Sequence, residues 1–249
     1  VAYACAIVDR YRHFGRLGLG AVLGSKYIKA ITVVGGNRSM PIENYQEYMK
    51  AYLNIYEKCT STDMMAKYHD AGTPINIEPL NKAQGLPTRN LQDNHFEKAN
   101  QISGDVFSLE KLVRKMACVG CPVGCIHIGQ FRRAFAEHGH EYEAVSVGYD
   151  YELIYSLGTF LCMETPDEIL ELIDATEEAG LDAMSAGVAL GWATEALARG
   201  LITLEDTLVP LEFGKKEPYL KALKYLGSAE NDFYRILGKG VREAAKHYG

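Results

Sequence analysis

From residue 41 onward, apolar positions fall mostly at helical intervals. Between Pro41 and Cys59, Ile42, Tyr45, Tyr48, Met49, Tyr52, Leu53 and Tyr56 recur every three or four residues, which predicts a helix. Further helices are expected from Ser108 to the cysteine-rich stretch and from about Glu141 to Leu157. Another opens at Thr165, where Thr165-Pro166-Asp167-Glu168 combines an N-cap, proline at the first helical position and acids at the positive end of the dipole. Gly180 should end that helix. Asp182 to Ala198, closed by Gly200, forms the next, and Tyr219 to Leu226 and Asp232 to His247 complete the set.

Two stretches break the helical pattern. The first holds Gly15, Gly18, Gly20 and Gly24, then the β-branched run Ile31-Thr32-Val33-Val34 closed by Gly35-Gly36, which predicts a strand and a turn. The second, residues 71 to 94, places Pro74, Pro79, Gly85 and Pro87 among polar residues; so long an irregular segment is expected to line something. The fold class expected is mainly α: a multihelical domain over residues 37–249, preceded by a small β-containing remnant over residues 1–36.

Composition narrows the function. The formal charge of -6 disfavours nucleic acid and anionic membrane as partners, both of which would repel the chain. Its longest apolar runs fall far short of the roughly 20 residues a bilayer span needs. Val1 opens a stretch with no basic start or cleavage signature, so no secretion signal is expected. A chain that starts without Met and carries a motif by residue 12 is expected to be a segment of a longer one.

Six cysteines, three of them within eight residues, are a poor disulfide scaffold and point to metal in a reducing compartment. Cys118-Val-Gly-Cys121-Pro-Val-Gly-Cys125 has turn-forming residues between its thiols, so three sulfurs can converge on one centre. On spacing alone, an iron–sulfur cluster, a zinc site completed by His127 and plain buried cysteines all remain open. Cys5, Cys59 and Cys162 read by default as core residues.

Several segments, in order, resemble the aldehyde ferredoxin oxidoreductase family. Arg12-His-Phe-Gly15-Arg16-Leu-Gly18-Leu-Gly20-Ala-Val-Leu-Gly-Ser-Lys26, followed by Lys29-Ala-Ile, is similar to the family's pterin-binding loop, with Leu17 standing where glycine is usual. Gly85-Leu-Pro-Thr-Arg-Asn90 is similar to its LPTRN segment, Glu141-Tyr142-Glu143 to its acidic motif, and Glu177-Glu-Ala-Gly180-Leu181-Asp182 to its DxxGLD pterin motif, with Glu177 replacing the first Asp.

The resemblance implies tungsten, or molybdenum, held by two pterin cofactors beside a 4Fe-4S cluster. Arg12, His13, Gly15, Arg16, Glu177, Leu181 and Asp182 would contact pterin, residues 1–36 would be the end of a pterin-binding domain, and Cys118, Cys121 and Cys125 would hold the cluster. Arginines and glycine backbone N–H groups suit a pterin phosphate, and carboxylates suit the ring N–H donors. Glu143 would handle proton transfer, with His138 and His140 near it, and Tyr142, Tyr149, Tyr151 and Tyr155 would serve mostly for packing.

The expected reaction of the parent is oxidation of aldehydes to carboxylic acids with electrons passed to ferredoxin. Reduction of an aromatic acyl-CoA is the alternative within the family, since Tyr149-Asp150-Tyr151-Glu152-Leu153 departs from a Gly-rich continuation. A zinc-stabilised helical module that binds a protein is the rival from another class. The family also implies a cytoplasmic location and a possible homodimer. No cysteine follows Cys162, so the fourth cluster ligand is missing from its expected place, and the segment alone is expected to be inactive.

Overall fold

The computed structural model describes residues 1–8, 11–36, 41–134 and 141–249. Two short strands, β1 (Ala6–Val8) and β2 (Arg12–Phe14), form an antiparallel pair that sets Ile7 opposite His13, and the glycine-rich loop then leads into α1 (Leu19–Ser25). The predicted strand at Ile31–Val34 does not form. Those residues pair with no strand among the described residues, and Ile31, Val33 and Val34 are exposed. A β-branched run has no ladder to join unless a second strand lies beside it.

The helix predicted over 41–59 is α2 (Tyr45–Thr60), capped by the Asn44 side chain on the Glu47 N–H at 3.1 Å. It buries none of its residues, and Tyr45, Tyr48, Tyr52 and Tyr56 stack along its exposed face. Next come α3 (Asp63–Ala71), a 3-10 turn (Thr73–Asn76), α4 (Ile77–Lys82), a second 3-10 turn (Ala99–Ile102) and α5 (Gly104–Glu110).

Two helix expectations give way to sheet. The segment before the cysteines contains only the short α5 and then β3 (Leu112–Met116). The first half of the segment from Glu141 to Leu157 is β5 (Tyr142–Tyr149), and it turns helical only from Tyr151. With β4 (Ile126–Ala134), these strands make an antiparallel sheet in the order β3-β4-β5. In β5 the period is two: Val145, Val147 and Tyr149 point toward the core in alternation, while Tyr142 and Glu143 stand near the exposed end. Tyr142 and Tyr149 are therefore strand residues, and only Tyr151 and Tyr155 of the tyrosine series share a helical face.

Asp150 ends the strand and caps α6 (Tyr151–Ile154), accepting the Leu153 N–H at 2.9 Å; α6 runs into a π-helical turn (Tyr155–Thr159). The strongest local signal, at Thr165, is met in full: α7 (Pro166–Glu178) starts with a reciprocal capping box between Thr165 and Glu168. Gly180 turns the chain at φ +67°, and α8 (Ala183–Ala198) follows. Gly187 lets α8 cross the π turn closely, because a Cβ there would lie 2.3 Å from the Ser156 carbonyl oxygen. After α8 come α9 (Leu204–Thr207), α10 (Lys216–Ser228), α11 (Asp232–Leu237) and α12 (Val241–Tyr248).

The core joins the sheet to these helices through Phe107, Phe131, Tyr149, Ile169, Leu190, Leu223 and Tyr234, all buried. The architecture is mainly α, as expected, but its larger sheet lies within the helical region and not in the N-terminal remnant. Among the described residues, no helix is long and apolar enough to cross a membrane.

Candidate cofactor site

The N-terminal segment is sewn to the turn between α7 and α8 by backbone hydrogen bonds. The Cys5 N–H donates to Gly180 O at 2.8 Å, the Asp182 N–H donates to Tyr3 O at 2.9 Å, and Ala4 bridges Leu181. Two motifs far apart in sequence thereby face one another. Gly20 completes the junction, since a Cβ there would lie 2.4 Å from the Ala4 carbonyl oxygen.

The side chains at this junction are polar and specific. His13 Nε2 stands 3.3 Å from the buried Glu177 Oε1 without making an aligned hydrogen bond, and among the described residues that oxygen has no hydrogen-bond partner. A buried, unsatisfied carboxylate oxygen is costly unless a ligand completes it. Asp182 is buried and caps α8: its Oδ2 accepts the Ser185 N–H at 3.1 Å and the Ser185 hydroxyl at 2.5 Å, with Arg16 Nε 4.0 Å away. Its other oxygen faces the bare Cα of Gly15, where a Cβ would come within 3.5 Å.

An open cleft of about 670 Å³ runs beside these groups, lined by Tyr3, Arg16, Gly18, Asp182, Ser185 and Lys239 among others. Of the predicted contacts, Gly15, Arg16 and Asp182 line it, and His13 and Glu177 stand next to Asp182's turn. Arg12 is exposed on β2, and the Leu181 side chain is buried in the core, so only its backbone serves the junction. Leu17 adopts φ +69° and is fully exposed at the rim, which costs roughly 1 kcal/mol relative to the usual glycine.

Sequence reasoning missed four residues here. Tyr3, Ser185 and Lys239 carry no motif, and Cys5 was taken for core. Cys5 instead lies against Gly15, and burial, then Asp182 and Glu177, push its thiol up to about 11.

Cys118, Cys121 and Cys125 sit on the loop joining β3 to β4. Gly120 and Gly124 take positive φ there, and the Cys121 N–H donates to Cys118 O at 3.0 Å. Cys118 is exposed and the other two are half-buried. Among the described residues, no three His, Cys, Asp or Glu side chains already stand as a metal-binding group. The donor chemistry nevertheless fits an iron–sulfur cluster: three free thiols share one glycine-hinged loop, and ligation itself can draw such a loop closed.

His127 does not serve the zinc alternative. It is fully buried in β4, where its Nε2 lies 3.0 Å from the His69 carbonyl and its Nδ1 lies 3.4 Å from the Tyr149 hydroxyl, so both ring nitrogens are engaged. Burial holds its pKa below the ordinary histidine value, only partly opposed by the His69 carbonyl. The unfolded chain therefore takes up a proton near pH 6.5 that the folded one refuses. Stability is expected to fall as pH drops from about 6.5 toward the lower folded pKa, by at most about 1.4 kcal/mol per pH unit for one proton. Urea unfolding at pH 7.5 and pH 5.5, compared with a His127→Gln variant, should show a smaller loss in the variant; equal losses would reject His127 as the source.

Glu143 lies on β5, where Arg133 grips its Oε1 through Nε at 2.7 Å and also holds Asp174 at 2.9 Å. It does not line the cleft. His138 and His140 lie outside the described residues. The Gly85–Asn90 segment forms a strained turn with Arg89, Asn90 and Leu91 at φ 48°, 52° and 64°. It is tied to the π turn by Thr159 Oγ1 donating to Pro87 O at 2.6 Å, and to α8 by Asn90 Nδ2 donating to Glu195 Oε2 at 2.6 Å. Arg89 bridges Asp93 and Glu97, and its guanidinium holds the Glu97 carboxyl below the usual range.

Residues 50–249 match the family model described as aldehyde ferredoxin oxidoreductase, domains 2 and 3, and residues 1–35 match the N-terminal domain of the same family. The chain belongs to the aldehyde ferredoxin oxidoreductase family. Among its relatives in that family is the tungsten-containing aldehyde ferredoxin oxidoreductase of Thermococcus kodakarensis, 31% identical over the whole chain. The aliphatic sulfonate oxidoreductase, WOR-like subunit, of Pyrococcus furiosus is 31% identical over 96% of it. The chain spans about 40% of the length of the first of these relatives. Its fold is shared with the active-site complex BamBC of benzoyl coenzyme A reductase solved with 1,5-dienoyl-CoA, at TM-score 0.71 and 18% identity, over 99% of this chain and 37% of that one. Membership in the aldehyde ferredoxin oxidoreductase family, together with the engaged nitrogens of His127, removes the zinc-stabilised binding module as a reading.

Proposed function

We propose that the full-length protein is a tungsten or molybdenum pterin oxidoreductase that converts aldehydes to carboxylic acids and passes electrons through a 4Fe-4S cluster to ferredoxin. The observation that carries this reading is the buried Glu177 Oε1, which faces His13 but accepts no hydrogen bond among the described residues, together with the half-committed Asp182 carboxylate at the far end of the same α7–α8 turn. Such a pair of carboxylate oxygens suits the N–H donors of a pterin ring, and His13 and Arg16 stand at its edge. Residues 1–36 then serve as the end of one pterin-binding domain, and residues 37–249 as the helical domain that completes the cleft.

The metal pterin centre supplies the two-electron chemistry, and the cluster on Cys118, Cys121 and Cys125 supplies one-electron exit. This chain's own residues bind and orient. Asp182 and Glu177 present acceptors, Ser185 fixes the Asp182 rotamer, and the bonds from Tyr3 and Cys5 hold the two motifs together. Glu143 is the proposed proton carrier: a proton taken at Oε1 replaces its pairing with Arg133, which keeps Asp174 as a partner. Ferredoxin as acceptor, a cytoplasmic location and a homodimer belong to the same reading.

Reduction of an aromatic acyl-CoA on the same scaffold is the alternative, supported by the thioester ligand named for the structural neighbour. Tyr149–Leu153, whose departure from a Gly-rich continuation also favours it, forms the capped strand-to-helix junction at Asp150. Anaerobic purification of the full-length protein, followed by metal and pterin analysis, is expected to find iron with tungsten or molybdenum and pterin. Aldehyde-dependent dye reduction without acyl-CoA turnover should accompany it. Protein with neither metal nor pterin would sink the reading, and acyl-CoA turnover alone would replace it with the alternative.

A further inference from the structure

The cleft carries charges of both signs. The Asp182 carboxylate lines it at the α7–α8 turn and suits N–H donors. Two cations line it as well: Arg16, on the glycine-rich loop, and Lys239, on the turn between α11 and α12. These cations reach the same space from opposite ends of the chain. Gly18, at φ +78°, lines the same cleft and presents bare backbone to it.

Lys239 has no structural task of its own. It is exposed, enters no ion pair among the described residues, and follows a helix that ends through backbone bonds from Gly238 to Tyr234 O and from Lys239 to Ile236 O. Arg16 is held only loosely, its Nε 4.0 Å from an Asp182 oxygen that Ser185 already satisfies. An unpaired ammonium and a loosely held guanidinium over one cleft form a receptor for a phosphate monoester, the lysine as a point charge and the arginine as a fork.

The geometry points to Lys239 as a phosphate anchor of this cleft, acting with Arg16 to hold the phosphate end of the pterin cofactor while Asp182 and Glu177 take the ring. The inference rests on the pterin reading above and deepens it by assigning an orientation: ring toward the α7–α8 turn, phosphate toward the α11–α12 turn. No bond is made or broken; the role is electrostatic binding, weakened by salt.

The test uses the full-length protein purified without oxygen, as wild type, Lys239→Gln and Lys239→Arg, all compared by circular dichroism and thermal unfolding. Pterin per polypeptide is measured by fluorescence after oxidative release, and its loss is followed during dialysis at low and high salt. Lys239→Gln should release pterin about tenfold faster at low salt, with a weaker dependence on ionic strength than wild type, and Lys239→Arg should restore most of the retention. Because the side chain is exposed, unfolding should be unchanged, which separates lost anchoring from lost structure. If wild type holds pterin and Lys239→Gln holds it equally well with the same salt dependence, the assignment of Lys239 is overturned while the pterin reading stands. If wild type holds no pterin at all, the reading itself fails and Lys239 falls with it.

Discussion

Serine in place of Cys121 in the full-length protein is expected to remove nearly all of its iron and the broad absorbance near ~400 nm that an iron–sulfur cluster gives. A serine hydroxyl is a poor substitute for a thiolate, and the three thiols of this loop are the concentrated part of the ligand set. Cys121 is central to it: its own N–H donates to Cys118 O, and Gly120 and Gly124 turn the loop at positive φ on either side. Pterin content should be largely retained, because the cleft beside Asp182 is built from other elements. Cys59→Ser, on the exposed helix α2, is the control and should leave iron unchanged. A Cys121→Ser protein with full iron would remove the loop from the cluster and leave the thiols without a role.

The largest stability effect is expected at Phe107. Its ring is fully buried, 4.9 Å from that of Tyr149, and the Tyr149 ring in turn meets His127 edge-on at 5.8 Å. This stack ties α5 to β5 and then to β4, two residues beyond Cys125. Phe107→Ala removes the ring and leaves a cavity that the sheet cannot easily fill, a loss of about 3–5 kcal/mol. In urea unfolding of the full-length protein that corresponds to a midpoint lower by about 1 M or more for the domain that carries it. Phe107→Leu should lose clearly less, and iron should leave the Ala variant more readily on heating because the root of the cysteine loop is loosened. A shift for Phe107→Ala no larger than that of a surface substitution would show that the stack does not hold the sheet in place.

The candidate site was legible in the sequence only where chemistry is concentrated in a few adjacent residues. The three clustered cysteines, the Arg12–Lys26 glycine loop and the Glu177–Asp182 turn could be picked out because each packs unusual residue types into a short span. Tyr3, Ser185 and Lys239, which line the cleft, and Cys5, which lies against Gly15, could not, since each is an ordinary residue until the fold places it there. Glu143 shows the converse: its motif pointed to chemistry, and the structure adds the Arg133 pair that any proton transfer must work against.

What the sequence determined alone is local and short in range. The N-cap at Thr165 and the glycine turns at 180 and 200 depend on neighbours three or four residues away, and each formed as read. The sheet was decided by tertiary structure. Residues 142 to 149 became a strand because Phe131, Val145 and Val147 complete one another's burial across β4 and β5, while Ile31–Val34, richer in β-branched residues, stayed unpaired for want of a partner strand. Strand pairing and the meeting of the Arg12–Arg16 loop with the α7–α8 turn both join residues distant in sequence, and the energy that selects them comes from surfaces that exist only after the chain has folded.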